Sequence, residues 1–178
     1  MSARHILVLG GARSGKTSFA ERLAMGLGNH PAYLATAEAL DAEMRDRVRA
    51  HQDQRQGRFT TLEEPLRLSP ALRKASAQHD VILIDCLTLW ITNLLLAEED
   101  VAAAVEGLAS TLAGIEPTRV ILVSNEVGLG IVPDNALARS FRDLAGSAHQ
   151  RLAEICEDVY FVAAGLPLTL KGAGPKSN

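Results

Sequence analysis

The chain has 178 residues, a common size for one domain with its own core. Hydrophobic residues make up 47% and charged residues 22%, and 18 Lys and Arg stand against 21 Asp and Glu, a net charge of −3. That balance argues against a general nucleic-acid binder, which is basic, and aromatics at 4% leave no stacking platform for single strands.

Apolar, β-branched runs recur along the chain at 5–9 (HILVL), 32–36 (AYLAT), 81–85 (VILID), 119–124 (RVILVS) and 159–163 (VYFVA). They are continuous rather than alternating, so each is expected to be a strand buried on both faces. Between them fall helical patterns. The first covers 16–27. A stripe of Leu40, Met44 and Val48 marks 39–51, and Leu87, Ile91, Leu94 and Leu95 open another. The longest starts after Pro133 with Asp134 as its expected N-cap and runs through Leu137, Phe141, Leu144, Ala148, Leu152 and Ile155. Loops are expected at 54–58, 114–118 and 128–133. This alternation predicts an α/β fold, a mainly parallel sheet flanked by helices, as one domain over 1–170 with a flexible tail at 171–178.

Cys86 and Cys156 lack metal-ligand spacing and read as buried thiols in a reducing compartment. The N-terminal apolar run is too short for a secretory signal. The longest apolar stretch, LTLWITNLLLA, is too short to span a bilayer. A cytoplasmic location is expected, with neither membrane insertion nor nucleic-acid partner.

Gly10-Gly11-Ala12-Arg13-Ser14-Gly15-Lys16-Thr17 matches G-x-x-x-x-G-K-[ST], and it leaves an apolar strand and opens a helix. Glycines there let backbone N–H groups close around a phosphate while the helix presents its positive end. Lys16 can reach the β- and γ-oxygens and the Thr17 hydroxyl can ligate Mg²⁺. Asp85 ends the third apolar run, where open α/β sheets bind ligands, and reads either as the second Mg²⁺ residue or as a cap for the following helix.

One segment departs from the acidic average. Arg45, Arg47, Arg49, Arg55 and Arg58 surround His51. Clustered guanidiniums suit a polyphosphate, and a neutral imidazole could attack an α-phosphorus. The residues alone leave this open against a solvated charged face. His5, His30, His79 and His149 read as structural or surface residues. Asn125, Glu126 and the Gly128/Gly130 loop read as a substrate or subunit contact, or as a turn seating the long helix. Arg139 and Arg142 read as solvated or as contacts to a substrate phosphate.

Taken together, ILVLGGARSGKT, YLATAEALDAEMRDRVRAHQDQR, LIDCLTLWITNLL, AAGLPLTLK and above all LVSNEVGLGIVPDNALARSFRDLAGSAHQRLA resemble one family over nearly the whole chain. It is the bifunctional adenosylcobinamide kinase/adenosylcobinamide-phosphate guanylyltransferase of cobalamin biosynthesis. The resemblance implies a RecA-like P-loop domain that works as a homotrimer. It implies ATP or GTP phosphorylating the corrinoid adenosylcobinamide, then GTP giving GMP to a histidine and onward to the cobinamide phosphate. The accepting residue would be His51, with Lys16 the other catalytic group. Nucleotide contacts would fall on Gly10 to Thr17, Leu34, Ala35, Thr36, Gln52, Asp53, Gln54, Arg55, Glu63 and Asp85, with Mg²⁺ on Thr17 and Asp85.

Five positions depart from the family pattern: Ala50 replaces a frequent second histidine, Gln52 and Gln54 replace basic or glycine residues, His149 stands where asparagine is expected, and Asp85 stands where some relatives have Glu, either of which can serve a hydrated metal. Two rival functions remain at this level: a small-molecule P-loop kinase without guanylyl transfer, and a GTP-dependent binding module. The latter lacks an N-K-x-D stretch to read guanine.

Overall fold

A computed structural model describes residues 4–37 and 57–174. Within them lie seven strands and five helices: β1 (Ile6–Gly10), α1 (Lys16–Leu27), β2 (Ala32–Ala35), β3 (Thr60–Glu63), α2 (Leu68–Ser76), β4 (Val81–Asp85), α3 (Leu87–Leu96), α4 (Val101–Gly114), β5 (Arg119–Asn125), α5 (Ala136–Ile155), β6 (Asp158–Ala163) and β7 (Leu166–Lys171). They form one sheet in the order β3-β2-β4-β5-β1-β6-β7. Every pairing is parallel except β6 with β7.

The continuous apolar runs are explained by two buried faces. Ile6, Val8, Leu83, Ile121 and Val123 point to the side covered by Phe19, Ala20 and Ala24 of α1. Leu7, Leu9, Ile82, Ile84, Val120 and Leu122 point to the opposite side, under α2, α3, α4 and α5. Central strands of this kind need an apolar residue at every position. Five strands expected from sequence are therefore present, to within a residue or two at their ends.

Two strands and two helices were not anticipated. β3 (TTLE) is a short edge strand with half-exposed side chains. β7 (LPLTLK) is the opposite edge, where Pro167 costs no ladder bond that a central strand would need. In α2, Pro70 sits in the first turn, where its missing N–H has no helical partner to lose. The alanine-rich α4 starts at Asp100, whose carboxylate accepts the Ala103 N–H at 3.0 Å. The expected cap of the long helix is corrected by one residue: Asn135, not Asp134, accepts from Ala138 N–H at 3.1 Å. Leu137, the first of the expected apolar stripe, is exposed, whereas Ala148 and Leu152 are buried. Lys171, the first residue of the expected tail, closes β7 and donates its Nζ to the Ala153 and Glu154 carbonyls.

Both cysteines are free and buried. Burial raises the thiol pKa of each, that of Cys156 to about 12. Two imidazoles are also locked inside. His5 Nε2 contacts the Leu112 carbonyl at 2.9 Å while Nδ1 receives the Val120 N–H at 3.2 Å, which selects the neutral Nε2–H tautomer. His149 on α5 meets Ser124 Oγ on β5 at 2.7 Å.

Burial lowers the pKa of both rings, opposed at His5 by the Leu112 carbonyl and at His149 by Glu126. The unfolded chain therefore binds more protons than the folded one, so stability is full above the ordinary value of 6.5 and falls as pH drops through the lowered folded values. Urea unfolding below that pH should show this loss, and His149→Asn should flatten part of the slope.

Candidate functional site

The turn between β1 and α1 is held by three neighbours. A Cβ on Gly10 would lie 2.6 Å from both the Val162 carbonyl of β6 and Ser14 Oγ, so only glycine fits. Gly15 adopts φ +91 and packs where a Cβ would come within 3.0 Å of Gly165 Cα, at the tip of the β6–β7 hairpin. The Gly165 N–H donates to the Ser14 carbonyl at 2.7 Å, and the Glu126 N–H donates to the Gly10 carbonyl at 2.9 Å. The hairpin tip and the end of β5 thus brace the turn from two sides.

The polar groups of the turn are poised rather than spent. Ser14 Oγ is buried with no hydrogen-bond partner among the described residues. The Lys16 side chain is buried and folds its ammonium back onto the Gly11 carbonyl at 3.1 Å, a contact inside its own loop. The N–H groups of the first turn of α1 have no helical acceptors. An anion seated there would give Ser14 an acceptor and Lys16 a counter-charge, and would meet the positive end of α1. Ala12 and Arg13 are exposed on the outer rim, with Arg13 at φ 54.

Beside the turn, Thr17 Oγ1 donates to Asp85 Oδ2 at 3.0 Å. The same oxygen accepts the Tyr33 hydroxyl at 2.7 Å. Asp85 does not cap α3; its N-cap is Cys86, with no side-chain cap bond. A hydroxyl and a single carboxylate form a hard oxygen set, and Mg²⁺ is commonly held by one or two carboxylates with water and substrate phosphates completing its shell. The pair fits that ion. Among the described residues no group of three or more His, Cys, Asp or Glu gathers as a closed metal site.

The other expected contacts are placed as follows. Ala35, Asp85 and Glu63 fall level across β2, β4 and β3 at the carboxyl edge of the sheet. Leu34 points to the opposite face and lines, with Leu62, Glu63 and α2, a groove of about 390 Å³. The Thr36 hydroxyl is committed to the backbone, accepting the Cys86 N–H at 2.9 Å and donating to the Cys86 carbonyl at 2.7 Å. Gln52, Asp53, Gln54, Arg55 and the nucleophile candidate His51 lie outside the described residues. Arg58 is exposed beyond them.

Asn93, on α3, carried no signal in the sequence, whereas Asn125, Arg139 and Arg142 were candidates. Asn93 donates to the Thr36 and Pro65 carbonyls at 2.9 and 3.1 Å, and Asn125 donates to Thr88 Oγ1 at 2.9 Å. On α5, Arg139 is not free in solvent: it donates to the Pro133 and Asp134 carbonyls at 2.9 and 2.6 Å. Arg142 is half-buried and one of its terminal nitrogens, Nη1, is buried with no acceptor among the described residues.

A family model described as cobinamide kinase / cobinamide phosphate guanyltransferase matches residues 6–170. The bifunctional adenosylcobalamin biosynthesis protein CobP of Pseudomonas aeruginosa is 49% identical over 168 residues, covering 93% of this chain and 96% of its own. The corresponding CobU proteins of Salmonella typhimurium and Escherichia coli are 40% and 36% identical, each covering 93% of this chain and 99% of their own. Among solved structures, a KaiC-like protein from Pyrococcus horikoshii aligns with TM-score 0.53 at 16% identity, over 89% of this chain and 70% of its own. The RadB recombinase aligns at 0.51 and 17%, over 89% and 73%. These two share the fold, a P-loop NTPase architecture.

Gly10→Ala should destabilise the protein by about 1–3 kcal/mol, the cost of overpacking against a backbone carbonyl. Gly11→Ala, whose added Cβ meets nothing within 4 Å, should leave stability unchanged. Urea unfolding of the two variants side by side checks the contrast.

Proposed function

The chain belongs to the cobinamide kinase / cobinamide phosphate guanyltransferase family, a family of transferases, and on that premise we propose that it carries out both reactions at one phosphate seat over residues 10–17. In the first, the γ-phosphoryl group of ATP or GTP passes to the aminopropanol hydroxyl of adenosylcobinamide, and the nucleoside diphosphate leaves. In the second, a ring nitrogen of His51 attacks the α-phosphorus of GTP, an N–P bond forms, and the bond to pyrophosphate breaks. A phosphate oxygen of adenosylcobinamide phosphate then attacks the same phosphorus, yielding adenosylcobinamide-GDP and restoring the imidazole. Splitting the transfer in this way lets one site take GTP and corrinoid in turn.

The observation that carries the reading is the poised state of the turn: among the described residues the Ser14 hydroxyl has no partner, the buried Lys16 ammonium bonds a carbonyl of its own loop, and Thr17 pairs with Asp85. Lys16 would exchange the Gly11 carbonyl for phosphate oxygens and stabilise charge on them as bonds break. Gly10 to Thr17 would hold the β-phosphate, with Ala35, Thr36, Glu63 and Asp85 along the strand ends beside it. Thr17 and Asp85 would hold Mg²⁺, which when bound neutralises β- and γ-oxygen charge. The unpaired Arg142 nitrogen favours a contact with the substrate phosphate over simple solvation, because a buried guanidinium donor without an acceptor is costly.

The reading includes a homotrimer in the cytoplasm. Two observations support it. No helix among the described residues is long and apolar enough to cross a membrane. Leu129, Ile131, Val132 and Leu137 are exposed in one short stretch, Ile131 by 97%, and clustered exposed apolar residues mark contact surfaces.

Two experiments test this. Intact-protein mass spectrometry after GTP should find one added GMP, acid-labile and base-stable, absent from His51→Ala; a label that persists on that variant removes the nucleophile. Light scattering should find a trimer that Ile131→Asp dissociates; a wild-type monomer removes the trimeric reading.

A further inference from the structure

We infer that Tyr33 is a positioning residue for the metal side of the phosphate site, setting the carboxylate of Asp85 so that its partner Thr17 faces the cation correctly. The inference rests on Thr17 and Asp85 being the Mg²⁺ residues.

The geometry begins with strand register. Tyr33 lies level with Leu83 of β4, and Asp85 is two residues further along that strand. Val81, Leu83 and Asp85 alternate onto the face that α1 covers, and Tyr33 and Ala35 share it. Two residues of strand amount to about 6.6 Å. A tyrosine pointing toward the carboxyl edge spans that diagonal, and its hydroxyl arrives at Asp85 Oδ2 at 2.7 Å. Thr17 descends onto the same oxygen from α1 at 3.0 Å. Three elements, α1, β2 and β4, therefore meet at a single oxygen atom.

The consequence concerns hydrogen-bond polarity. With Tyr33 and Thr17 both donating, Oδ2 is an acceptor only, and the Thr17 proton is directed at Asp85. The lone pairs of Thr17 Oγ1 are then left facing away from the carboxylate, toward the phosphate seat, where a cation would use them. Oδ1 remains for a water of the cation's shell. A carboxylate free to turn about its terminal torsion, which is broad for aspartate, would present Oδ1 and Oδ2 indifferently and leave the threonine hydroxyl undirected. The second donor removes that freedom. Tyr33 is itself immobilised: it is 8% exposed and its ring meets Phe59 edge-on, centroids 6.0 Å apart at 84°.

A buried phenol needs some acceptor wherever it lies, so the test must separate positioning from mere satisfaction. The probe is Mn²⁺, counted by the electron paramagnetic resonance signal of the free ion, titrated into protein saturated with GDP. Tyr33→Phe keeps the ring and its packing and removes only the donor. Loss of an outer partner of a metal-holding group typically weakens metal affinity by about 10- to 100-fold, so the dissociation constant for Mn²⁺ should rise by that factor while metal-free GDP binding stays as in the wild type. Phe59→Leu, which disturbs the ring contact and keeps the hydroxyl, should lower thermal stability without moving Mn²⁺ affinity.

If the wild type retains Mn²⁺ and Tyr33→Phe retains it equally well, Tyr33 is not a positioning residue and the metal reading stands. If the wild type retains no Mn²⁺ beyond what GDP alone holds, the metal reading itself fails. If metal-free GDP binding falls together with Mn²⁺ affinity, or Phe59→Leu reproduces the loss, the role is packing and the inference is overturned.

Discussion

The architecture depends on a lack of space around Gly10. β1 ends there with β6 on one side, its Val162 carbonyl so near that no side chain could intervene, and with the Ser14 hydroxyl closing the turn from above. Because β1 is flanked by β5 and β6, the turn inherits its position from the two strands rather than from its own residues. The Glu126 and Gly165 amides then tie it to the exits of those same strands. A glycine-rich loop in isolation would be floppy, since glycine surrenders the most backbone freedom on ordering. Here that freedom is removed before any ligand arrives, so less of the binding free energy goes into organising the seat.

A second layer of order runs along the carboxyl ends of the strands. Thr36 is bonded through its hydroxyl, amide and carbonyl, to Cys86, Asp85 and Asn93. Asn93 ties β2's exit to Pro65, beyond β3, and Asn125 ties β5's exit to Thr88 at the start of α3. The Thr36 and Asn93 side chains satisfy backbone that the ending sheet would otherwise leave unpaired, which is what buried polar groups require, while Asn125 and Thr88 satisfy each other side chain to side chain. They keep Asp85 at a constant height relative to Thr17. Cys86, whose thiol is raised by burial first and by the neighbouring Asp85 carboxylate second, stays protonated and takes the structural part its position suggests.

What could be read from the chain follows the reach of each cause. The turn at 10–17, α1 and the central strands were legible because their signals are local: a spaced motif, and apolar runs that a doubly covered sheet demands. Asp85 was legible as a strand-end carboxylate but ambiguous in role, and the tertiary contact with Thr17 resolves it against helix capping. Tyr33 was not legible, since one more aromatic in AYLAT says nothing until strand register brings it diagonal to Asp85. β3 and β7 escaped because edge strands tolerate polar and exposed residues, so TTLE and LPLTLK lack the run that marked their neighbours. α4 was missed although it carries a mark, the Asp100 cap followed by Val101, Val105, Leu108 and Leu112 at helical spacing, because alanines between them blur the contrast between its faces. Asp134 and Asn135 are adjacent capping residues, and only the register of the first turn chooses between them.

The division of the crevice explains why one part of the sequence was generic and another specific. β1 and β5 are neighbours, yet the chain leaves β1 into α1 on one face and leaves β5 into α5 on the other. Such a reversal opens a crevice at the carboxyl edge, where open α/β sheets take their ligands. The α1 wall carries the phosphate turn, Thr17 and, across the same face, Asp85 and Tyr33. The spaced glycine motif of that wall is short and general, and the fold that carries it is shared with a chain as distant as RadB, at 17% identity. The opposite wall, residues 125–142, carries the Arg139-braced loop and the Arg142 nitrogen that finds no acceptor among the described residues. The general motif thus lies on one wall, and the block 122–153 that most closely resembles the family lies on the other.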